Sequence, residues 1–370
     1  MKAYVLHGID DFRLEDVPEP KLKEGEVLVE VKAAGICGSD IPRVYKTGTY
    51  SYPLIPGHEF SGVVVKAQKG TDGRWKGQRV GIFPLIPCVK CGPCRKKQYE
   101  MCRSYSYLGS RRDGGFAQYA AVPEKNLILL PEQVTFEEGA MLEPMAVAVH
   151  AIRKSAFRPG DKVAVLGLGT IGLLLTAFLL EAGAGCVLAV GNKDFQRETA
   201  LKLGLPRKAY CDSRSQDVSR WIGEQTDGQG ADLFFECVGK NETVSLAVDC
   251  AAPAGRVCLV GNPYSEIKLE KPVYWKILRN QLTVRGTWNS SFHYGQSPWE
   301  PSLDFHGRER GEEVEEESKD DWHYVLDRLA GKRIAPAALI THRFPFTELE
   351  KGFRIMRDKQ EEYGKIMGLM

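Results

Sequence analysis

An excess of charge of either sign is missing from this chain. Its 370 residues carry 50 Lys and Arg against 48 Asp and Glu, a formal net charge of +2. No broad field therefore steers it toward nucleic acid or an anionic membrane. An N-terminal address is not expected either. MKAYVLHGIDDF meets Asp10 and Asp11 before an apolar core of signal-peptide length accumulates, so neither a secretory nor a mitochondrial leader is expected and the protein reads as cytoplasmic. Without a secretory route, the ten cysteines are not read as a disulfide framework. Internal repeats are absent as well. One long uncharged run does occur, VAVLGLGTIGLLLTAFLL at 163–180, and by length alone it passes for a membrane span. Gly167, Gly169 and Gly172 break its first third, however. A buried strand, a tight turn and a buried helix account for it, and no membrane association is expected.

What remains is a globular composition, 43% hydrophobic and 26% charged, long enough for two domains. The first 150 residues hold short apolar runs such as EVLVEVKAAG (26–35), FSGVVVKA (60–67) and FAQYAAV (116–122), punctuated by Gly and Pro as in small β-sheets. From about Arg158, apolar strands (KVAVLG, CVLAV, ADLFFEC, GRVCLVG) alternate with helical patterns, which predicts a parallel sheet covered by helices. After about Gly286 the β-like texture returns and closes on the helix-like LEKGFRIM (349–356). The expected fold is α/β: an all-β domain from 1–150 and 288–370, with a cysteine-rich lobe at 84–104, joined to a doubly wound parallel-sheet domain at 151–287. Residues 293–321, strongly acidic between Glu309 and Asp321, read as a solvated insertion.

Four cysteines form PCVKCGPCRKKQYEMC, in which Cys88, Cys91, Cys94 and Cys102 follow a C-x2-C-x2-C-x7-C spacing. Short spacings let successive thiolates wrap one cation, and four thiolates with no open position make a structural zinc site. A redox CxxC needs a thioredoxin-like βα unit, which is not visible here; an iron–sulfur cluster takes four cysteines, but the run differs from the ferredoxin patterns. Cys186, Cys211, Cys237, Cys250 and Cys258 lie in or beside apolar runs and read as small buried hydrophobes.

GICGSD (35–40), PGHEFSG (56–62) and LEPMAVAVHA (142–151) are each weak alone, since a lone Cys or His is more often packed than ligating. Together they place a thiolate, an imidazole and a carboxylate in one β-rich domain, and three protein ligands plus one exchangeable position describe a catalytic zinc site. Zinc lowers the pKa of bound water from about 15.7 to about 7. A comparable shift on an alcohol readies its carbon to release hydride; in reverse, a polarised ketone accepts one. Ser39, two residues past Cys37, is placed to take the hydroxyl proton.

The sequence Gly167-Leu-Gly169-Thr170-Ile171-Gly172 follows a strand and opens a helix inside a βαβ run. That context makes it a dinucleotide fingerprint, in which the pyrophosphate sits on the helix N-terminus. An open zinc site and a dinucleotide fold together imply hydride transfer.

The motifs GHEFSG, CxxCxxCxxxxxxxC, GGFAQY and GLGTIG occur in that order, and by them nearly the whole chain resembles the zinc-dependent medium-chain dehydrogenase/reductase family. The resemblance implies a GroES-like catalytic domain and a Rossmann domain. It implies that Cys37, His58 and Glu143 hold a catalytic zinc, with Glu59 beside it as an exchanging ligand, and that the four clustered cysteines hold a second, structural zinc. It further implies a homodimer or homotetramer. The stretches 37–62, 84–94, 109–119 and 142–151 are most similar to family members acting on polyol phosphates. Arg43, Arg111 and Arg112 lie there and are candidates to pair with a substrate phosphate or to make structural ion pairs. An unphosphorylated polyol, cyclitol or amino-sugar alcohol oxidised with NAD is the alternative, and a non-catalytic zinc protein a more distant one.

Two positions depart from the family pattern. Many relatives place a proton-relaying histidine three residues after the serine; here Pro42 stands there. NAD-using members end the second strand of the Rossmann sheet with an acid that grips the adenosine ribose. Here VLAVGNKDFQR has Gly191 at that place, followed by Asn192, Lys193 and Arg197, with Asp194 expected to cap the next helix. A missing acid removes repulsion against a 2′-phosphate, and charged hydrogen bonds contribute about 1.5–3 kcal/mol each. Two such bonds favour NADP over NAD by roughly two to four decades; a glycine and a surface lysine without preference are the bland alternative.

Overall fold

The computed structural model describes residues 1–263, 265–295 and 319–370; most of the acidic stretch 293–321 lies outside the described residues. The chain divides into two units. One comprises Met1–Glu143, Ser290–Lys332 and Ile340–Met370, the other Pro144–Asn289 and Arg333–Leu339. The first boundary falls inside the helix Leu142–Lys154, directly after Glu143. Nothing in the sequence texture signals that 333–339 belongs with the second unit.

In the first unit, β1 (Lys2–Gly8) and β2 (Asp11–Asp16) form an antiparallel pair. There follow β3 (Glu26–Ile36), β4 (Glu59–Ala67), β5 (Arg79–Ile82), β6 (Leu85–Ile86), β7 (Ser106–Tyr107), β8 (Tyr119–Pro123) and β9 (Leu127–Leu129), and β16 (Ile340–Pro345) and β17 (Lys365–Leu369) come last. The main sheet runs β16-β17-β3-β4-β5-β9, and β8 also pairs with β3. With three pairing partners, β3 is buried along almost its whole length rather than alternately. Val27, Val29 and Val31 join Tyr4, Phe60 and Phe116 in the core. The helix Leu349–Asp358 closes one side because Leu349, Phe353 and Met356 recur at helical spacing and are all buried. Phe353 meets the rings of Phe12 at 4.7 Å and Phe116 at 5.5 Å, and burying such a side chain stabilises by about 1.5–3 kcal/mol.

In the second unit, β10 (Lys162–Leu166), β11 (Cys186–Gly191), β12 (Tyr210–Asp212), β13 (Ala231–Glu236), β14 (Ala251–Leu259) and β15 (Thr283–Gly286) form a parallel sheet in the order β12-β11-β10-β13-β14-β15. The continuous apolar runs of β10, β11 and β13 are what strands covered on both faces require. The order reverses at β10, and in such sheets ligands bind outside the carboxyl ends of the strands at that reversal. The uncharged run 163–180 resolves into β10, a turn and the helix Thr170–Glu181. No described helix is long and apolar enough to cross a membrane.

Candidate active site

Three neighbouring strands deliver the first cluster to one end of the main sheet. Cys37 directly follows β3, Glu59 opens β4 opposite Gly35, and Lys365 opens β17, whose Ile366 pairs with Ile36. His58 precedes Glu59. The sulfur of Cys37, a ring nitrogen of His58 and a carboxylate oxygen of Glu59 all lie within 4.8 Å of one another. A Cβ at Gly35 would stand 2.5 Å from Glu59 Oε2, so a side chain there would displace that carboxylate. Glu143 sits in the first turn of the helix Leu142–Lys154 rather than at the end of a loop. Its Oε1 accepts a hydrogen bond from the Tyr107 hydroxyl at 3.1 Å, and the Tyr107 ring lies 5.8 Å from that of His58. Burial pushes the Glu143 carboxyl above its usual range and the Tyr107 phenol well above its own.

Asp40, Tyr107 and Lys365 complete this cluster, and sequence reasoning missed all three. Asp40 is fully buried; its Oδ2 accepts the Cys37 N–H at 3.0 Å, and its Oδ1 lies 2.5 Å from Arg43 Nη1 and 3.5 Å from His58 Nδ1. Burial raises its carboxyl, but His58 and Arg43 more than offset that and leave it below the usual range. Burial likewise lowers His58, yet Asp40 and Cys37 hold the imidazole well above its usual range. Lys365 donates to Glu59 Oε2 at 2.5 Å and to the Ile36 carbonyl at 3.1 Å. Its one signal in the sequence is a lysine heading the apolar strand KIMGL. Ser39 donates to the Cys37 sulfur at 3.3 Å.

A divalent metal fits this set. Donor atoms of Cys37, His58 and Glu59 converge within 4.8 Å of one another, and a thiolate, an imidazole and carboxylates are the donors zinc takes.

The second cluster also fits. The sulfurs of Cys88, Cys91, Cys94 and Cys102 lie within 4.8 Å of one another, and pairs stand at 3.4 Å (Cys91–Cys94), 3.9 Å (Cys91–Cys102) and 4.0 Å (Cys88–Cys94). Tetrahedral zinc with Zn–S near 2.3 Å separates its sulfurs by about 3.8 Å. All four are free thiols. Backbone N–H groups of Arg103 and Cys94 lower Cys91 to about 6, whereas burial and the neighbouring sulfurs push Cys94 up to about 12; a cation is what relieves such crowding.

The three candidate arginines part company. Arg43 is paired with Asp40, and Arg112 lies 2.8 Å from Glu26 Oε1; both therefore serve buried carboxylates. Arg111 has no carboxylate partner among the described residues. Its guanidinium lies between the rings of Tyr50 and Tyr105, 4.3 Å from each centroid, and donates to the Tyr50 hydroxyl and the Tyr105 carbonyl at 3.2 Å. The Tyr105 ring in turn lies 6.2 Å from Tyr107.

In the second unit, Gly167 leaves β10 with φ of 96°, Gly169 caps the helix Thr170–Glu181, and Thr170, Ile171 and Gly172 form its first turn. Their N–H groups are the unpaired ones of a helix start, which suits a pyrophosphate. Gly191 ends β11 and is buried; a Cβ there would lie 2.8 Å from both Gln196 Oε1 and the Tyr210 hydroxyl. Asn192 donates its N–H to Gln196 at 2.9 Å. Lys193 caps the helix Asp194–Lys202 through its backbone, and Arg197 is exposed on that helix. Asp194 is thus not the cap. It is the first helical residue, and its carboxylate is drawn to Arg214 at 2.7 Å instead of to the helix amides. Arg214 also pairs with Asp212, which it holds down to about 2. Arg197, Arg207, Tyr210 and Asp212 border a cavity of about 330 Å³.

Residues 23–132 match the alcohol dehydrogenase GroES-like domain family and residues 170–306 the zinc-binding dehydrogenase family. Over 355 residues, 96% of each chain, the sequence is 35% identical to galactitol 1-phosphate 5-dehydrogenase of Escherichia coli (strain K12). The chain belongs to the zinc-dependent medium-chain dehydrogenase/reductase family. It is an alcohol or polyol dehydrogenase of GroES-like and Rossmann architecture. This dehydrogenase is also 30% identical over 293 residues, 77% of the chain and 81% of the relative, to sorbitol dehydrogenase of Bacillus subtilis (strain 168). The crystal structure of galactitol-1-phosphate dehydrogenase from Escherichia coli superposes with a TM-score of 0.87 at 31% identity, covering 100% of both chains. Two further neighbours, at TM-score 0.86, hold the two nicotinamide cofactors. A zinc-binding dehydrogenase from Sinorhizobium meliloti 1021 (26% identical) is bound to NADP, and a short chain alcohol dehydrogenase from E. coli CFT073 (25%) to NADH; each match covers 100% of this chain and 99% of the other.

Proposed function

We propose that the dehydrogenase interconverts a secondary alcohol of a polyol phosphate and the corresponding ketose phosphate, with NADP(H) as the preferred hydride carrier. The observation that carries the substrate class is Arg111, a guanidinium without a carboxylate partner among the described residues, clamped between Tyr50 and Tyr105. From it a run of aromatic contacts leads through Tyr107 to Glu143 and His58. Arginine suits a phosphate because its fork matches two oxygens at once. The 35% identity to a galactitol 1-phosphate dehydrogenase supports the same reading.

Cys37 and His58 hold the catalytic zinc together with Glu143. Lys365 competes for Glu59, which leaves Glu59 as the exchanging carboxylate, while the hydrogen bond on Glu143 comes from the neutral Tyr107 hydroxyl. Cys88, Cys91, Cys94 and Cys102 hold a second, structural zinc. When bound at Cys37 and His58, zinc supplies Lewis-acid polarisation of the substrate oxygen. Ser39 Oγ accepts the hydroxyl proton; Pro42 offers no onward donor, so water carries it out. Asp40 orients Cys37 through its N–H and His58 through its ring. Gly167, Gly169 and the amides of Thr170, Ile171 and Gly172 take the pyrophosphate. Asn192, Lys193 and Arg197, which follow β11, would supply donors to an adenosine 2′-phosphate, and Arg214 neutralises both nearby acids, Asp194 and Asp212, which would otherwise repel it.

An unphosphorylated polyol with NAD is the second reading, favoured by the 30% identity to a sorbitol dehydrogenase. Sugar alcohols, their phosphates and the matching ketoses, assayed with both cofactors, separate the two. Turnover of phosphorylated substrates, with KM raised by Arg111→Ala for these and not for their dephosphorylated analogues, supports the first; equal effects refute it.

The dehydrogenase forms a homodimer, alone or within a tetramer. All four residues of the edge strand β15 are exposed, and Tyr274, Trp275 and Leu278 of the preceding helix Lys271–Arg279 are each more than half exposed. An exposed edge strand together with exposed apolar side chains fits a second copy about a two-fold axis, which sedimentation tests.

A further inference from the structure

Glu236 ends β13, in register with Leu166 of β10 on one side and Leu259 of β14 on the other. It thus stands at the carboxyl ends of the strands, beside the point where the strand order reverses. A carboxylate at such a crevice is expected to face solvent or ligand. This one is only 1% exposed. Its Oε1 accepts the N–H groups of Val238 at 2.8 Å and Gly239 at 2.9 Å. Its own carbonyl accepts those of Val260 at 2.8 Å and Gly261 at 2.9 Å. One residue therefore holds two loops, the first by its side chain and the second by its backbone.

Those loops have no slack. A Cβ on Gly261 would overlap the Gly239 nitrogen, and a Cβ on Gly167 would lie 2.5 Å from Val238 Cγ2. Cys237 N–H also donates to the Leu166 carbonyl at 2.9 Å, one residue before Gly167. Val238 is thus pressed against the first glycine of the GLGTIG turn, and the Glu236 carboxylate fixes where Val238 stands.

We propose that Glu236 is a positioning residue of the dinucleotide site. Its carboxylate sets the 237–239 loop and, through Val238, the backbone at Gly167 that approaches the pyrophosphate. The proposal rests on GLGTIG being the dinucleotide turn. Glu236 touches neither substrate nor reacting atoms, so its effect falls on cofactor binding and not on the chemical step.

Glu236→Ala and Glu236→Gln are compared with the wild-type zinc-loaded protein by NADH and NADPH fluorescence titration and by steady-state kinetics. Glu236→Ala is expected to raise the dinucleotide Kd and KM by about tenfold or more, the worth of one charge-assisted hydrogen bond, with kcat, alcohol KM and zinc content unchanged. Glu236→Gln keeps an oxygen that accepts both N–H groups and is expected to restore most of the affinity. If the alanine variant does not fold, Glu236→Asp, whose carboxylate is one methylene short of the loop, takes its place with the same expectation. Wild-type dinucleotide Kd and KM in the folded alanine or aspartate variant overturn the proposal, as does a fall in kcat alone. Wild-type protein that binds neither NADH nor NADPH overturns instead the dinucleotide reading on which the proposal rests.

Discussion

Lys365 Nζ lies 2.5 Å from Glu59 Oε2, with the two side chains 2% and 1% exposed. A buried pair of this kind is costly to break from one side, because the remaining charge is left unpaired. Lys365→Met should therefore destabilise the dehydrogenase by about 3–5 kcal/mol, read from urea unfolding. The double variant Lys365→Met/Glu59→Gln should recover much of that loss. A single variant as stable as wild type contradicts the pairing.

Cys37→Ala should lower bound zinc from two ions to one and abolish turnover while the far-UV spectrum stays native. Asp40→Asn should be milder. It keeps an acceptor for the Cys37 N–H but loses the charge facing His58, and partners of metal ligands typically contribute 10–100-fold in metal affinity. Zinc competition with a chelator measures both. Activity retained in Cys37→Ala refutes the catalytic-zinc assignment.

Lys193→Ala should reduce the ratio of kcat/KM for NADPH over NADH by about tenfold, the worth of one charged hydrogen bond. Arg214→Ala, which frees Asp194 and Asp212, should shift the ratio in the same direction. Ratios unchanged in both variants place cofactor choice elsewhere.

Acid should weaken the segment around the helix Asp321–Ala330 as pH falls from about 4 toward 2. Asp320 caps that helix, accepting the N–H groups of His323 at 2.8 Å and His293 at 2.7 Å. Burial raises its carboxyl, but the two histidines and these N–H groups prevail and hold it down to about 2, against about 3.9 in an unfolded chain. The folded pKa is the lower one. The contribution, roughly 2 kcal/mol, is therefore fully present above about pH 4 and is lost as pH falls toward 2. Asp320→Asn still caps the helix and should flatten the fall of the urea midpoint between pH 4 and 2. A slope equal to wild type there removes Asp320 from acid stability.

Much of the fold and the metal chemistry was legible because it is local. The C-x2-C-x2-C-x7-C spacing brings four sulfurs together within one short lobe, and strand, GLGTIG and helix follow one another without a long connection. Gly191 could be read as the absence of an acid from its position alone. The structure adds that Gln196 and Tyr210 fill the space an acid there would take.

What the sequence by itself determined was which chemistry is available: two groups of metal-ligating side chains, a parallel sheet with a glycine-rich turn after its first strand, and a second-strand end without an acid. Only the tertiary structure decided which charged groups are already committed. Arg43 goes to Asp40, Arg112 to Glu26 and Asp194 to Arg214, and Arg111 stands between two tyrosine rings with no carboxylate partner among the described residues. The reason is physical. A charge is neutralised by whatever lies within a few ångströms, and the neighbour is set by strand register and packing rather than by spacing along the chain. Glu59 and Lys365 stand 306 residues apart and meet only because β4 and β17 flank β3.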